Sequence, residues 1–493
     1  MSDTRGSFAT RIGFILVSAG CAIGIGNVWK FPFLCGQYGG AAFILIYLLF
    51  LVILGIPVMT AEFAIGRASK KSAAGSFEAL EPSGTKWHNF KWISILGCYL
   101  LMMYYTTVAG WMIYYCYRGF TGEFNGAAPD AIEGGFGAML GSPATMLFWM
   151  ILICVLGFGI CALGIRKGVE RVTKVMMVLL FVLMFALAVH SVFLKGAGEG
   201  IKFYLIPNFK TMAENGIFNV VFAAMSQAFF TLSIGIGAML IFGSYIDDSR
   251  SLTGESVHIT ALDTLVALMA GFIIIPACFA YGLEPNAGPG LIFITVPNIF
   301  ANMPGGVIWA GLFFLFMTFA ALSTVVAVFE NLIAYQMDMR GWDRKKSTGI
   351  NFLLVTAASV PCALGYNVLA NVQLLGEGST ILDFEDFLVS NNLLPLGSLA
   401  FILFITAKNG WGWQNFLDEA NKGKGIKMAN GLKGYLSYIL PLIIIAIYLK
   451  GYYDFFNVDG KRGLLIPWMV VAVVLLLFVG YTAFSGAKKA KAE

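Results

Sequence analysis

Apolar residues run almost unbroken from Ile12 to Leu34, and the stretch GCAIGIGNVWK, residues 20–30, interrupts that run in its middle. A helix of ~20 apolar residues matches the ~30 Å hydrocarbon core of a bilayer. Gly20, Gly24 and Gly26 each weaken such a helix by roughly 1 kcal/mol relative to alanine. The pattern predicts a spanning helix that unwinds at mid-depth. Lipid cannot hydrogen-bond the freed backbone, so the break must line a cavity inside the protein. Ile23-Gly24-Ile25-Gly26 returns 211 residues later as Ile234-Gly235-Ile236-Gly237, again within an apolar run. Two interrupted spans at matching places in two halves point to a binding site between them.

Repeating the same reading along the chain predicts an all-α integral membrane protein with twelve transmembrane helices. They fall at about 12–35, 41–65, 93–117, 145–164, 171–194, 217–243, 258–282, 307–337, 348–366, 381–406, 433–450 and 464–484. Residues 118–144 form a Gly-rich, acidic connection. The segment 283–306 is too short for a span and is expected as a re-entrant hairpin over an external opening. Residues 408–432 read as a polar cytoplasmic linker. That leaves a ten-span core, residues 1–407, and an accessory unit, 433–493, of two helices and a basic cytoplasmic tail.

Composition agrees with membrane embedding. The chain of 493 residues is 58% hydrophobic and 12% charged, against about 25% charged in soluble domains. Eight of the 32 Lys and Arg fall in segments placed outside, and the remaining 24 lie in those placed inside. This asymmetry predicts a multi-pass protein of the cell membrane with both termini cytoplasmic. The basic residues sit in short loops, so no nucleic-acid partner is expected. The eight Cys lie singly in apolar runs and read as free core thiols. His88, His190 and His258 lie apart with no nucleophile beside them, which argues against an enzyme. No GxxxxGK[ST] signature supports ATP-driven transport.

Polar residues inside apolar spans are expensive and therefore informative. Glu62 and Glu330 lie near span ends, where each can serve as a structural acceptor. Asp263 lies deeper and fits a cation site. Ser323 and Thr324 either back-bond to carbonyls of their own helix or join the carbonyls freed at the first break as oxygen ligands for a hard cation. Thr231 and Ser233 place hydroxyls at the second break.

The segments GCAIGIGNVWKFP, GGAAFILIYLLFLVILGIPVMTAEFAIGR, MMYYTTVAGW, SQAFFTLSIGIGA, FAALSTVVAV and LDFEDF, in that order, resemble the neurotransmitter:sodium symporter family, its LeuT-like bacterial amino-acid transporters in particular. The resemblance covers the ten-span core. It implies a 5+5 inverted repeat (about 8–195 and 215–407) with the first and sixth helices broken. It also implies two Na+ sites. The first would use the Ala22 carbonyl with Asn27, Thr231 and Asp263. The second would use carbonyls of Gly20, Ile23 and Ala320 with the hydroxyls of Ser323 and Thr324. A small amino-acid substrate would lie among Ala22, Gly24, Ile25, Gly26, Leu101, Tyr105, Phe230, Thr231, Ser233, Ile236, Thr324 and Val328. Tyr105 would bind its carboxylate and Phe230 would cover it.

The outer gate maps to Lys30 with Asp386. The inner gate maps to Arg5 with Asp338, beside Phe8, Ser244 and Tyr245. The chain departs from the family's pattern in ways that carry expectations. Phe8 replaces a Trp, and Lys30 replaces an Arg, losing a planar bidentate donor. Asp263 stands where Asn is frequent and offers a fixed charge that would make chloride unnecessary. Val178 stands where a Pro often follows Gly168. Gly24 replaces the Asp that pairs an amine in monoamine carriers, and Ile236 replaces a bulkier Phe. Together these imply sodium-coupled import of neutral, mainly hydrophobic L-amino acids, aromatic ones included, by alternating access. A proton-coupled permease on the same scaffold and an amino-acid-binding membrane sensor are the alternatives. No pattern in the chain sets an oligomeric state.

Overall fold

The computed structural model describes residues 8–214, 216–283, 285 and 290–485. Among these residues no strand forms, and extended pairing is confined to an isolated bridge between Arg250 and Lys424. Ten helices are long and apolar enough to cross a membrane, or eleven if one bent pair counts as a single span. That pair is α1 (Arg11–Ala22) and α2 (Gly26–Gln37), which meet at 57° across the predicted break. The others are α3 (Ala41–Ser69), α4 (Trp87–Phe120), α5 (Pro143–Ala162), α6 (Ile165–Val192), α9 (Leu252–Ala280), α11 (Gly306–Arg340), α12 (Arg344–Leu364), α13 (Ile381–Thr406), α15 (Asn430–Phe456) and α16 (Arg462–Phe484).

The second predicted break is also present. Helix α7 (Ile217–Thr231) stops at the glycine stretch, and α8 (Ala238–Gly243) resumes six residues on. Gly235 (φ +102°), Gly237 (φ +74°) and Ser233 (φ +50°) hold the left-handed conformations that separate them. A glycine takes such angles readily, whereas Ser233 takes them under strain. Gly235 also packs so closely on Gly397 of α13 that a methyl built on Gly397 would lie 1.8 Å from the Gly235 carbonyl oxygen. Small residues here let two backbones touch.

Helix α11 is the most buried of the candidate spans and α16 the least. Exposed apolar side chains such as Phe185, Leu353, Leu442 and Leu477 stud the outer helices, as a lipid-facing surface requires. The segment expected as a re-entrant hairpin contains α10 (Leu291–Ala301), whose Leu291, Ile292 and Phe293 are buried. Phe293 lies against the rings of Trp29, Trp111, Tyr115 and Phe136, packing one side of the C-terminal part of α4.

The segment 408–432 is more than a polar connection. It folds into α14 (Trp413–Ala420), followed by a strip docked on the turn after α8. Lys424 N–H donates to the Ser249 carbonyl at 2.9 Å, and Ser251 N–H donates back to Lys424 at 3.0 Å. The buried Arg67 guanidinium ties this assembly together. It donates to Glu419 Oε1 at 2.6 Å, to the Arg250 carbonyl at 2.8 Å and to the Glu419 carbonyl. Lys422, half-exposed, pairs with the other carboxylate oxygen, Glu419 Oε2, at 2.6 Å, which holds it above its usual pKa. Removing Arg67 takes the donor from a buried carboxylate oxygen and two carbonyls, each costing ~1–3 kcal/mol when left unsatisfied, whereas a half-exposed pair such as Lys422–Glu419 contributes ~0–1 kcal/mol. Arg67→Ala should therefore lower the unfolding temperature in detergent clearly, and Lys422→Ala should leave it nearly unchanged. Equal unfolding temperatures for the two variants would contradict this role of Arg67.

Candidate functional site

Each break frees backbone groups, and the structure gives most of them partners. Tyr105 Oη accepts from Ile25 N–H at 3.1 Å, and Asn27 Oδ1 accepts from Gly24 N–H at 3.1 Å. Gln227 Nε2 donates to the Gly26 carbonyl at 3.0 Å. At the second break Glu62 Oε1 accepts from Gly235 N–H at 2.5 Å. The carbonyls of Ile236 and Gly237 receive Tyr335 Oη at 3.4 Å and Asn331 Nδ2 at 3.3 Å. Glu62 is fully buried, and its role as a backbone acceptor agrees with its place in the sequence.

Two oxygen clusters grow from the first break. In one, Asn27 Nδ2 donates to Asp263 Oδ1 at 2.8 Å, and Thr231 Oγ1 donates to Asp263 Oδ2 at 3.0 Å. All three side chains are buried. The cluster joins the two broken helices to α9 through one carboxylate. In the other, Ser323 Oγ lies 2.9 Å from the carbonyls of both Gly20 and Ala320. Thr324 Oγ1 lies within 3.4 Å of four carbonyls, those of Gly20, Cys21, Ile23 and Ala320. A hydroxyl carries one proton and cannot satisfy four acceptors. With Ser233 Oγ also donating to the Cys21 carbonyl at 3.3 Å, the cluster gathers neutral oxygens of the kind a hard cation takes as ligands.

Beside the first break lies a small cavity of about 30 Å³. Ten of the expected residues line it: Ala22, Gly24, Ile25, Gly26, Leu101, Tyr105, Phe230, Ser233, Ile236 and Thr324. Thr231 and Val328 are buried outside this lining. Val389 and Leu394 of α13 complete the wall. Sequence reading missed them because they sit in an ordinary apolar run with nothing to set them apart. A methyl built on Gly24 would lie 2.4 Å from Tyr105 Oη, so a side chain here requires Tyr105 to move.

The gates depart from simple charge pairing. Among the described residues Lys30 and Asp386 form no ion pair within 4 Å. Lys30 Nζ instead sits 4.0 Å from the centroid of the Phe230 ring, a cation–π contact. Asp386 Oδ1 accepts from Ser390 Oγ at 2.7 Å. Lys30 and Phe230 also line an open cavity walled partly by α15 through Tyr448, Asp454 and Phe455. Tyr448 and Tyr452 also bond the Asn392 amide oxygen, fastening α15 to the helix that carries Asp386.

On the inner side Arg5 lies outside the described residues. Asp338 accepts from Ser72 N–H at 2.8 Å and from its hydroxyl at 2.6 Å. Phe8 packs edge-on to Tyr245 at 5.9 Å, and Ser244 Oγ donates to the Ile241 carbonyl at 2.7 Å. Glu330 takes a bidentate pair from Arg344 at 2.7 Å and the Tyr245 hydroxyl at 3.1 Å. Glu170 accepts from Ala9 N–H, Thr10 N–H and the Thr10 hydroxyl at 2.7, 3.1 and 2.9 Å, capping the start of α1. Arg11 adds a pair to Glu255 at 2.8 Å. The partners of these acidic side chains lie 14 to 266 positions away, beyond what local spacing reveals.

A many-helix membrane protein whose internal cavity sits at two broken helices, beside buried oxygen clusters, has the build of a transporter. The sodium:neurotransmitter symporter family model matches residues 5–129 and 137–484. The sodium-dependent transporter YhdH of Bacillus subtilis (strain 168) is 34% identical over 445 residues, which is 90% of this chain and 97% of that protein. The sodium-dependent serotonin transporter of Drosophila melanogaster is 27% identical over 513 residues, 94% of this chain and 78% of its own. Among solved structures, MhsT in complex with L-phenylalanine superposes with a TM-score of 0.80 at 38% identity, covering 91% of this chain and 100% of that one. The chain belongs to the sodium:neurotransmitter symporter family. It is a multi-pass, sodium-dependent membrane transporter, and its relatives are transporters rather than enzymes.

Glu62 is the partner of Gly235 N–H, and an unsatisfied buried donor costs ~1–3 kcal/mol. Glu62→Ala should lower the unfolding temperature in detergent more than Glu62→Gln, which keeps an acceptor oxygen. Wild-type stability in Glu62→Ala would contradict the assignment.

Proposed function

We propose that the protein imports neutral, mainly hydrophobic L-amino acids, aromatic ones included, together with sodium and without need of chloride. The observation that carries this reading is the mainly apolar cavity at the first break, lined by Thr324 of one oxygen cluster, with the cluster at Asp263 fixed to the same break through Asn27. The site around Thr324 has neutral oxygen donors only, as a monovalent hard cation prefers. The site around Asp263 has one fixed carboxylate, which supplies the negative charge a chloride would otherwise bring. Sodium at the first site would be held by the Ala22 carbonyl, Asn27, Thr231 and Asp263. At the second it would be held by Gly20, Ile23, Ala320, Ser323 and Thr324.

The substrate class follows from the cavity wall. Leu101, Ile236, Val389, Leu394 and Phe230 offer nothing to pair with a charged side chain, so burying one there would be costly. The polar end holds Tyr105 and the backbone start of α2, whose N–H groups and dipole suit an anion. An α-carboxylate fits there. The likeness to MhsT, solved with L-phenylalanine, supports an aromatic amino acid in this class.

In this mechanism sodium orders the two breaks, and substrate then draws Phe230 and Lys30 inward to shut the outer side. On the inner side Glu170, Glu255 and the Arg344–Glu330–Tyr245 cluster hold α1 and α8 together until the ions leave. Counting α7 with α8 as one interrupted span and α1 with α2 as another gives twelve spans. The first ten form an inverted repeat, and α15 and α16 are accessory. Both termini are then cytoplasmic, with Arg5 and Asp338 at the inner gate.

Proteoliposome uptake tests the reading. L-Phenylalanine and L-leucine should accumulate only with an inward sodium gradient and equally in chloride and gluconate. Asp263→Asn should weaken uptake or make it respond to chloride. Uptake driven by a pH gradient in potassium would favour a proton-coupled permease instead. Sodium-dependent binding without accumulation would favour a sensor.

A further inference from the structure

One wall of the cavity is adjustable from behind. Ile236 lines it, and the outer face of that side chain rests on Gly97, in the middle of α4. A methyl built on Gly97 would lie 2.6 Å from Ile236 Cγ2, closer than two carbon atoms pack. Gly97 itself is absent from the cavity lining. A glycine inside a long helix weakens it relative to alanine, so the position asks for a reason other than helix formation.

The backbone on either side of Ile236 has no room to yield. Gly235 is pinned by the Glu62 carboxylate and packed on the Leu394 carbonyl, with a methyl there only 2.1 Å from that oxygen. Gly237 lies on Ala73 and Ser94, with a methyl there 2.9 Å from Ala73 Cβ. The Ile236 carbonyl is held by Tyr335 and faces Cys98 Sγ at 3.7 Å. A β-branched side chain is stiff about χ1. Anything that crowds Ile236 from the Gly97 side therefore drives its side chain into the cavity.

We propose that Gly97 is a positioning residue for substrate size, setting how far Ile236 projects into the pocket. This rests on the reading of the cavity as an amino-acid site. It assigns the size limit to a residue that never touches the substrate.

The test is sodium-dependent competition binding of L-phenylalanine and L-alanine to the full-length purified protein. Gly97→Ala should cut affinity for L-phenylalanine about fivefold or more relative to L-alanine, the scale of overpacking a tight site. Ile236→Val should shift the ratio the opposite way, and Gly97→Ala with Ile236→Val should return it close to wild type. Equal losses for both ligands in Gly97→Ala, or a double variant no nearer wild type than the single one, would overturn the proposal. If Gly97→Ala fails to fold, the Ile236→Val shift and the double variant's ratio decide in the same way. Wild-type protein binding neither ligand in sodium would instead overturn the amino-acid reading on which the proposal stands.

Discussion

Everything in this structure depends on where the backbone hydrogen bonds of two broken helices go. In hydrocarbon an unsatisfied amide or carbonyl has no water to turn to, so a break persists only if protein groups replace the lost helix partners. Glu62, Gln227, Asn331, Tyr335, Tyr105 and Asn27 do this for residues 24–26 and 235–237. The carbonyls of Gly20, Cys21 and Ile23 are the exception. They are met instead by side-chain hydroxyls, Ser323 at Gly20, Ser233 at Cys21 and Thr324 at Ile23, which gathers neutral oxygens of the kind a hard cation takes as ligands.

The same constraint connects the gates to the centre. Because α1 and α8 are short, their positions are set by contacts at their ends as much as by lipid. Glu170 and Glu255 hold the start of α1, while Glu330 with Arg344 holds the end of α8 through Tyr245. The docked strip after α14 braces the turn that follows. On the outer side Lys30 lies on Phe230 rather than pairing with Asp386. A lysine lacks the planar fork that favours a bidentate carboxylate pair, and an ammonium over a ring face makes less geometric demand.

Much of this was legible in the chain. The duplicated Ile-Gly-Ile-Gly placed both breaks, because glycine in an apolar run is a local signal with a physical cost. Asp263 and the Ser323–Thr324 pair were legible because polar groups in spans are rare. The second wall of the pocket, Val389 and Leu394, was not, since apolar residues in an apolar span carry no mark. Nor were the Arg67–Glu419 and Glu330–Arg344 pairs, whose members are joined only by the fold. Residues 408–432 read as a linker from their polarity, yet their polar groups are what dock them.

The central claim is that cation binding orders both breaks together, through oxygens they share. Hydrogen exchange measured by mass spectrometry on the purified protein reads this directly at peptides covering residues 20–27 and 231–237. Sodium should slow exchange in both peptides relative to equal potassium, with the same half-saturating concentration in each. Identical exchange in the two salts, or protection of one break alone, would contradict it.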